Sequence, residues 1–392
     1  MTHKIKNIQE AAERIKRAVS NKERIILYGD SDLDGISSVV ILEEAIKNLG
    51  GNVCAVLFPD RENDGYGINK NALQLLKDKA PALFITLDLG IGNVEEIEVA
   101  KKLGFEVIIV DHHETLHGVP NIPLIVDPKQ KDDDYPFKGL ANVGITFKLC
   151  EEILGKKISK SLRNSFLELT ALGTIADMVP QIDENQKIIE EGLRSLRNTF
   201  RPAIKAFFTL LGEGYIFSAQ GGPTSGRDGS LGKVISALNA AESVNYQNDS
   251  YFLLTCFSKV KCEEMAQDLI NKTNLKQQKV KEITQEVERR ISQKPDAPVI
   301  FEGDIAWRLT LAGSVASIIS SKYQKPTFIF KKGDKESCGS VRNPKDTNSV
   351  EAMKTCSDFL ITYGGHANAS GFRIKNENLK KFEDRLNEFF KE

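Results

Sequence analysis

The chain has 392 residues, of which 41% are hydrophobic and 27% charged, and its formal net charge is −1. This length predicts two or three domains, and the near-neutral charge excludes a protein that binds nucleic acid through overall basicity. Six cysteines without a C-x-x-C pair argue against a zinc ribbon or a disulfide framework and favour a reducing cytoplasm, and the sequence has no run of 18 apolar residues, which predicts no membrane association.

The first third of the chain alternates short apolar runs with helical patterns, after a charged amphipathic helix predicted within residues 1–24. The predicted strands are Ile25–Tyr28, Val53–Phe58, Leu83–Leu87 and Val107–Val110, and the predicted helices are Ile36–Leu49, Asn69–Lys79 and Val94–Leu103. Continuous apolar strands that alternate with helices predict an α/β fold with a parallel sheet covered on both faces. Ligands of such sheets bind beyond the carboxyl ends of the strands.

The rest of the chain changes character three times. It turns helical from Asn142 to Ala176, and residues 250–292 form a long charge-rich helical pattern that predicts a connector. A second, smaller α/β unit follows. Its predicted elements are strands Pro298–Phe301, Thr327–Phe330 and Ser337–Val341, helices Ala312–Tyr323 and Leu379–Phe390, and a glycine-rich turn at Gly364–His366.

Acidic clusters follow the apolar, strand-like runs. They are Asp30, Asp32 and Asp34 after the first run, Asp88 after Ala82–Leu87, Asp111-His112-His113 after Glu106–Val110, and Asp177 after Leu169–Ala176. Unpaired carboxylates that converge repel one another, so such a group requires a cation. Aspartates joined by an imidazole predict two divalent metals side by side, which is an arrangement suited to attack on phosphorus.

Two other interpretations of the first cluster compete with a metal centre. Its spacing matches the first half of an EF-hand loop, but the twelfth position is Ile41, which cannot supply the bidentate carboxylate, and a strand stands where the EF-hand has a helix. An aspartate nucleophile on a strand-end D-x-D would explain Asp30 and Asp32 but leaves Asp111-His112-His113 without a task. Two adjacent histidines out of only five, after an aspartate, favour metal ligation.

These residues resemble the DHH phosphoesterase superfamily, whose name-giving motif is Asp111-His112-His113. More narrowly, the chain is similar to the RecJ-like branch of single-strand-specific exonucleases. The motifs that carry the similarity are Asp30–Gly35, Pro59–Gly67, Asp127–Gln130, Tyr135–Leu140, Gly173–Pro180, Ser340–Arg342 and Gly364–Gly371. The resemblance implies a parallel-sheet DHH domain at residues 1–200, a helical connector at 201–295 and a DHH-associated domain at 296–392, with an active-site cleft between the domains.

Carried over to this sequence, the resemblance implies a complete site. The metal ligands would be Asp30, Asp32, Asp34, Asp88, His112 and Asp177, with Asp88 as the bridge, and the catalytic residues would be His113, Asp111 and Asp88. The substrate contacts would be Ser340, Arg342, Gly364, Gly365, His366 and Asn239. The implied cofactors are two divalent ions, Mn²⁺ first and Mg²⁺ second.

The implied activity is two-metal hydrolysis of single-stranded DNA, and of RNA as a further substrate, from the 5′ end to mononucleotides in repair, recombination or replication. The expected partners are the single strand itself and a replication or repair protein. One family element, Asn-Ala-Ala-Gly-Arg, stands here as Asn239–Ser243 with Glu242 added, and the oligonucleotide-binding barrel of long relatives is expected to be missing. Two alternatives stay open: a phosphodiesterase of short oligonucleotides or cyclic dinucleotides, and a non-catalytic replication scaffold.

Overall fold

The structure is a computed structural model that describes residues 3–114, 118–212, 230–293, 297–344 and 347–391. The chain forms two compact units. The first contains Met1–Asp60 and Tyr66–Thr273, and the second contains Arg61–Gly65 and Asn274–Glu392. The domain boundaries after residues 200 and 295 stay predictions.

The first unit begins with alternating helices and strands and continues mainly as helices. Its first part runs α1 (Ile8–Ser20), β1 (Ile25–Gly29), α2 (Leu33–Asn48), β2 (Val53–Leu57), α3 (Lys70–Leu76), β3 (Ala82–Leu87), α4 (Val94–Lys102), β4 (Phe105–Val110) and β5 (Leu124–Val126). Its second part runs α5 (Asn142–Leu154), α6 (Lys160–Asp177), α7 (Asp183–Leu196), α8 (Pro202–Leu211), α9 (Ser230–Leu238), β6 (Ser243–Val244), β7 (Gln247–Asn248) and α10 (Asp249–Leu254).

The five strands β1 to β5 form one sheet in the order β2-β1-β3-β4-β5, and every neighbouring pair is parallel. The predicted parallel sheet is therefore confirmed, and β5 is an additional strand that the sequence pattern did not predict. Because all five strands run the same way, their carboxyl ends lie along one edge of the sheet.

Side chains that alternate along the strands build a core on each face of this sheet. One face, which includes Leu27 and Ile85, packs in a single cluster with α1, α2, α5 and α6. The other face, which includes Tyr28 and Phe84, packs with α3 and α4. Both faces of the sheet are thus covered by helices, as the uninterrupted apolar strands require.

The second unit holds a mixed five-stranded sheet in the order β11-β12-β10-β9-β8, in which only β8 and β9 are parallel. Its elements are β8 (Ile300–Asp304), α12 (Leu309–Tyr323), β9 (Thr327–Lys332), β10 (Glu336–Arg342), α13 (Ser349–Lys354), β11 (Leu360–His366), β12 (Ala369–Lys375) and α14 (Leu379–Phe389). Clustered phenylalanine rings, such as Phe301 and Phe330 with centroids 4.8 Å apart, fill one face of the sheet.

The glycine-rich turn predicted at Gly364–His366 is wrong, because these residues are the last part of strand β11. Gly365 has φ 122°, and a Cβ atom there would lie 2.7 Å from Ser370 Cα on the paired strand. The glycine is required by this close approach of two strands, not by a turn.

The predicted helix over residues 250–292 is two helices, α10 and a 34-residue helix α11 (Lys259–Ser292). Residues 259–273 of α11 belong to the first unit and residues 274–292 to the second. Within the described parts of the chain, no helix is both long enough and apolar enough to span a membrane.

Helix α7 packs tightly against α6 at Gly192, and we expect this contact to be required for stability. A Cβ atom at Gly192 would lie 2.3 Å from the Leu167 carbonyl oxygen, so Gly192→Ala should destabilise the protein by about 1–3 kcal/mol. Gly144→Ala in α5 is the matched control, because its Cβ would meet only side-chain atoms at 3.3 Å or more. Thermal and urea unfolding test this, and equal effects of the two substitutions would contradict the tight contact.

Candidate metal centre

Three of the four acidic clusters lie where strands of the parallel sheet end, whereas the expectation that Asp177 follows a strand is wrong, because Asp177 is the last residue of helix α6. Asp30 follows β1, Asp88 follows β3, Asp111 follows β4 and Asp127 follows β5. Backbone hydrogen bonds continue past the strand ends, since Asp88 N donates to the Val110 carbonyl oxygen (3.0 Å) and Asp111 N donates to that of Val126 (3.1 Å). The residues that follow the strands are therefore held in register, and their side chains meet at one edge.

The ligand atoms at this edge form three overlapping groups of three among the described residues. Asp30, Asp32 and Asp88 place one atom each within 4.8 Å of one another, and so do Asp34, His112 and Asp177. The third group is Asp88, His112 and His113, which shares one residue with each of the other two, and within it Asp88 Oδ1 lies 3.2 Å from His112 Nε2. The side chains of all six predicted metal ligands thus lie together at this edge.

Asp34 ties this edge to helix α5. It is 1% exposed, its Oδ1 accepts from Val143 N (2.7 Å), and its Oδ2 accepts from Asn142 N (2.8 Å). These are backbone amides at the start of α5, which favour a negative charge. Asp34 therefore has a structural role as well as a position among the metal ligands.

The residues that begin α5 also hold the neighbouring strand ends. With the Asn142 amide oriented so that its oxygen faces donors, it accepts from Asp88 N (2.8 Å) and Ser38 Oγ (3.0 Å) and donates to the Val110 carbonyl oxygen (3.0 Å). Asp88 itself has φ 65°, a left-handed conformation that costs energy for a residue other than glycine. The contact with Asn142 helps to fix that conformation.

His112 is oriented for metal ligation. Its Nδ1 lies 3.2 Å from the Leu140 carbonyl oxygen, so in the neutral ring this nitrogen donates, and Nε2 keeps its lone pair next to Asp88 Oδ1. Two ligands of one octahedral ion at about 2.1 Å stand about 3 Å apart. The separation of 3.2 Å between these two atoms therefore fits a divalent ion.

Asp111 is fully buried and its contacts are to protein groups. Its Oδ1 accepts from His113 Nδ1 (2.7 Å) and from the backbone amides of His112 (2.8 Å) and His113 (3.2 Å), and its Oδ2 accepts from Ile91 N (3.0 Å). His113, by contrast, is 38% exposed. The geometry makes Asp111 a positioning residue that orients His113 at the open side of the centre.

The charges of this pair stabilise each other. Burial alone would raise the pKa of Asp111, but the charge of His113 and the hydrogen bonds lower it to about 2. Burial alone would lower the pKa of His113, but the charge of Asp111 and their hydrogen bond raise it to about 9. In the metal-free protein, the pair with Asp111 therefore favours the protonated form of His113.

Burial and mutual repulsion disfavour the ionised forms of three further carboxylates, those of Asp34, Asp88 and Asp177. Burial, followed by the charges of neighbouring aspartates, raises the pKa of Asp34 and of Asp88 well above the usual range. Burial and then the charge of Asp32 raise the pKa of Asp177 to about 7. Asp88 Oδ1 and Asp177 Oδ2 are buried without a hydrogen-bond donor among the described residues. Buried carboxylate oxygens in this state, beside an imidazole, fit divalent cations.

The predicted substrate contacts occupy two places. Asn239 is in the first unit, where its Oδ1 accepts from Leu33 N (2.9 Å) at the start of α2, so it holds the acidic loop. The others are in the second unit: Ser340 and Arg342 on β10, and Gly364, Gly365 and His366 on β11. Ser340 and Arg342 are two residues apart on one strand and so face the same side.

Sequence reasoning gave no individual role to three groups that the structure places at the centre. The Leu140 carbonyl and the Asn142 side chain carry no chemical signal in the sequence, because their roles depend on contacts with strands far along the chain. Asp127 could have been found, since it ends the apolar run Leu124–Val126 as the other aspartates end theirs. It is 0% exposed, and burial followed by the charge of Asp111 raises its pKa to about 7.

Comparison with known proteins agrees with this architecture. Residues 24–174 match the N-terminal domain of the DHH family, and residues 296–392 match the DHHA1 domain. The first unit therefore holds a domain of the DHH family, and the second holds a DHHA1 domain. The first match covers β1 to β5 and most of the candidate centre, and the second covers the sheet of the second unit.

Three relatives are similar over almost the whole chain. The single-stranded-DNA-specific exonuclease RecJ of Bacillus subtilis is 34% identical over 388 residues, which are 98% of this chain and 48% of that protein. A crystal structure of exonuclease RecJ bound to manganese has a TM-score of 0.78 at 24% identity and covers 100% of this chain and 96% of that one. RecJ from Thermus thermophilus in complex with Mn²⁺ has a TM-score of 0.83 at 24% identity, over 100% and 55% of the two chains.

The raised pKa of Asp177 and the hydrogen bonds of Asp34 predict opposite effects of two conservative substitutions on the stability of the metal-free protein. Asp177→Asn removes a charge that burial and Asp32 disfavour, so it should raise stability by about 1 kcal/mol, or roughly 2–4 °C in Tm. Asp34→Asn should lower Tm. The two oxygens of Asp34 each accept a hydrogen bond from a backbone N–H group, whereas the NH₂ group of asparagine would place a donor against one of them.

Thermal unfolding with a chelator and then with Mn²⁺ measures both effects. Wild-type protein should gain Tm with Mn²⁺, since a ligand that binds only the folded state stabilises it, and Asp177→Asn should lose most of that gain. A Tm of metal-free Asp177→Asn below that of the wild type would contradict the repulsion argument.

Proposed function

We propose that the chain is a metal-dependent exonuclease that hydrolyses single-stranded DNA, and RNA as a further substrate, from the 5′ end to mononucleotides. The observation that carries the proposal is the set of three overlapping ligand groups that share Asp88 and His112, one of which includes the partly exposed His113. The relatives named for single-stranded-DNA-specific exonuclease activity support the substrate. A role in DNA repair, recombination or replication, with a protein partner from those processes, follows from the same similarity.

The six ligands would hold two divalent ions, Mn²⁺ in preference to Mg²⁺. Bound there, the ions would supply Lewis-acid chemistry at the phosphorus centre and a more acidic water. The protein's own part is positional. Asp34 and Asn142 fix the loop after β1 and the end of β3, and the Leu140 carbonyl selects the tautomer of His112. His113, kept charged by Asp111, would contact the scissile phosphate and balance its developing charge.

The C-terminal unit would bind the backbone of the strand through Ser340, Arg342, Gly364, Gly365 and His366. Arg342 is supported by its surroundings, since Nη1 donates to the Val341 carbonyl oxygen (2.8 Å) and a Cβ atom at Gly313 would lie 3.0 Å from Nη2. The missing side chain at Gly313 leaves space for a guanidinium group, which suits phosphate recognition.

Release of mononucleotides from a labelled 30-mer in Mn²⁺ tests the activity. We expect wild type to digest the single strand and to leave the matching duplex intact, with 5′ and 3′ labels reporting the direction and an RNA strand the sugar preference. His113→Gln should reduce kcat by a factor of about 10² or more. Turnover of a dinucleotide without turnover of the 30-mer would favour the short-substrate phosphodiesterase, and no turnover of either would favour a scaffold.

Loss of the Arg342 guanidinium should weaken substrate binding more than chemistry. Arg342→Gln is expected to raise KM for the 30-mer about tenfold, as for one charge-assisted hydrogen bond, with kcat changed less than about twofold. Arg373→Gln on the paired strand β12 is the control, because Arg373 is exposed and pairs with Glu336 at 2.7 Å. Similar KM values for the two variants would remove Arg342 from the substrate site.

A further inference from the structure

The turn that follows β5 is held rigidly at the edge of the candidate centre. Asp127 Oδ1 accepts from Lys129 N (2.8 Å), and Gln130 Nε2 donates back to the carbonyl oxygens of Ile125 (2.9 Å) and Asp127 (3.2 Å). Pro128 restricts the backbone between them. Lys129 therefore leaves the sheet from a fixed position and not from a loose loop.

Strand register places this turn beside the DHH segment. Strands β4 and β5 are parallel with Val110 opposite Val126, and the pairing continues when Asp111 N donates to the Val126 carbonyl oxygen (3.1 Å). Asp127 is thus the neighbour of Asp111, and Lys129 emerges beside the residues that carry His113.

The positive charge of Lys129 affects carboxylates of the candidate centre, although Lys129 forms no ion pair with any of the described residues. Its positive charge lowers the pKa of Asp127 and of Asp177, against the burial that raises both. Lys129 is half-buried, and among the residues that the structure describes its Nζ forms no hydrogen bond or ion pair. A half-buried cation next to many carboxylates, but paired with none of them, is placed to bind an anion that comes from outside the protein.

We propose that Lys129 is a substrate-binding residue whose ammonium group holds a backbone phosphate of the nucleic-acid strand next to the scissile bond. The inference deepens the proposed function and rests on it. Lysine suits this role because it is a mobile point charge that can follow a phosphate oxygen. Its fixed turn would set the distance between that phosphate and His113.

The test compares Lys129→Gln with Lys131→Gln, which removes the same charge from an exposed position two residues further along the same loop. Kinetics on the 30-mer in Mn²⁺ should show KM raised about tenfold for Lys129→Gln, kcat changed less than about threefold, and near wild-type values for Lys131→Gln. Lys129→Arg, which keeps the charge, should recover most of the lost affinity.

Binding of a fluorescent single strand to metal-free protein gives a readout that does not depend on catalysis. Lys129→Gln should bind more weakly, and its plot of log K against log salt should be shallower by about 0.7, the value for one phosphate contact on a single strand. Lys131→Gln should keep the wild-type slope.

Three results would overturn the assignment. The first is equal KM values and equal salt slopes for both glutamine variants. The second is a loss of substrate affinity in Lys129→Gln that is explained by lower thermal stability or by altered Mn²⁺ affinity. The third is that Lys129→Arg does not recover the lost substrate affinity. Failure of the proposed function looks different, because wild type and Lys131→Gln would then release no nucleotide from the strand at all.

Discussion

The carboxylate of Asp34, bound by the first amides of helix α5, is the contact on which the candidate centre depends. It joins a loop near the start of the chain to a helix more than 100 residues later, and the same helix start reaches the other strand ends. The Asn142 side chain contacts Asp88 N, and the Leu140 carbonyl accepts from His112. One short segment, Leu140–Val143, thereby sets the relative positions of residues that follow three different strands.

The contacts of segment Leu140–Val143 are needed because the carboxylates that they position repel one another. Burial and mutual repulsion raise the pKa values of these carboxylates in the metal-free protein, and the backbone and amide contacts of Asp34 and Asn142 oppose their separation. A site built in this way would favour cation binding, because folding has already brought the ligands together. If the proposed function holds, stability and function favour different residues at the same positions.

Much of this could be predicted from the sequence, for a physical reason. Parallel strands end at one edge, so aspartates that follow these strands must approach one another, as Asp30, Asp88 and Asp111 do. The rule does not apply to Asp177, which ends helix α6, so its place among the candidate ligands depends on the family resemblance. The contacts made by segment Leu140–Val143 could not be predicted, because the Leu140 carbonyl and the Asn142 side-chain amide acquire their roles only through long-range contacts. The turn predicted at Gly364–His366 failed for a related reason: glycine serves close strand approach as well as turns, and local sequence does not distinguish the two.

The two basic side chains near the centre, His113 and Lys129, are held in different ways. His113 Nδ1 lies 2.7 Å from Oδ1 of Asp111, a fully buried aspartate that also accepts from three backbone amides, so this contact orients His113 and favours its protonated form. Lys129 is placed by the backbone contacts of its turn, and among the described residues no hydrogen bond or ion pair fixes its ammonium group. In the proposed function, a rigid cation would suit the reacting phosphate, where displacement by about 1 Å would lower the rate. An ammonium group without such fixed contacts would suit a neighbouring phosphate, which would have to be bound and released as the strand advances.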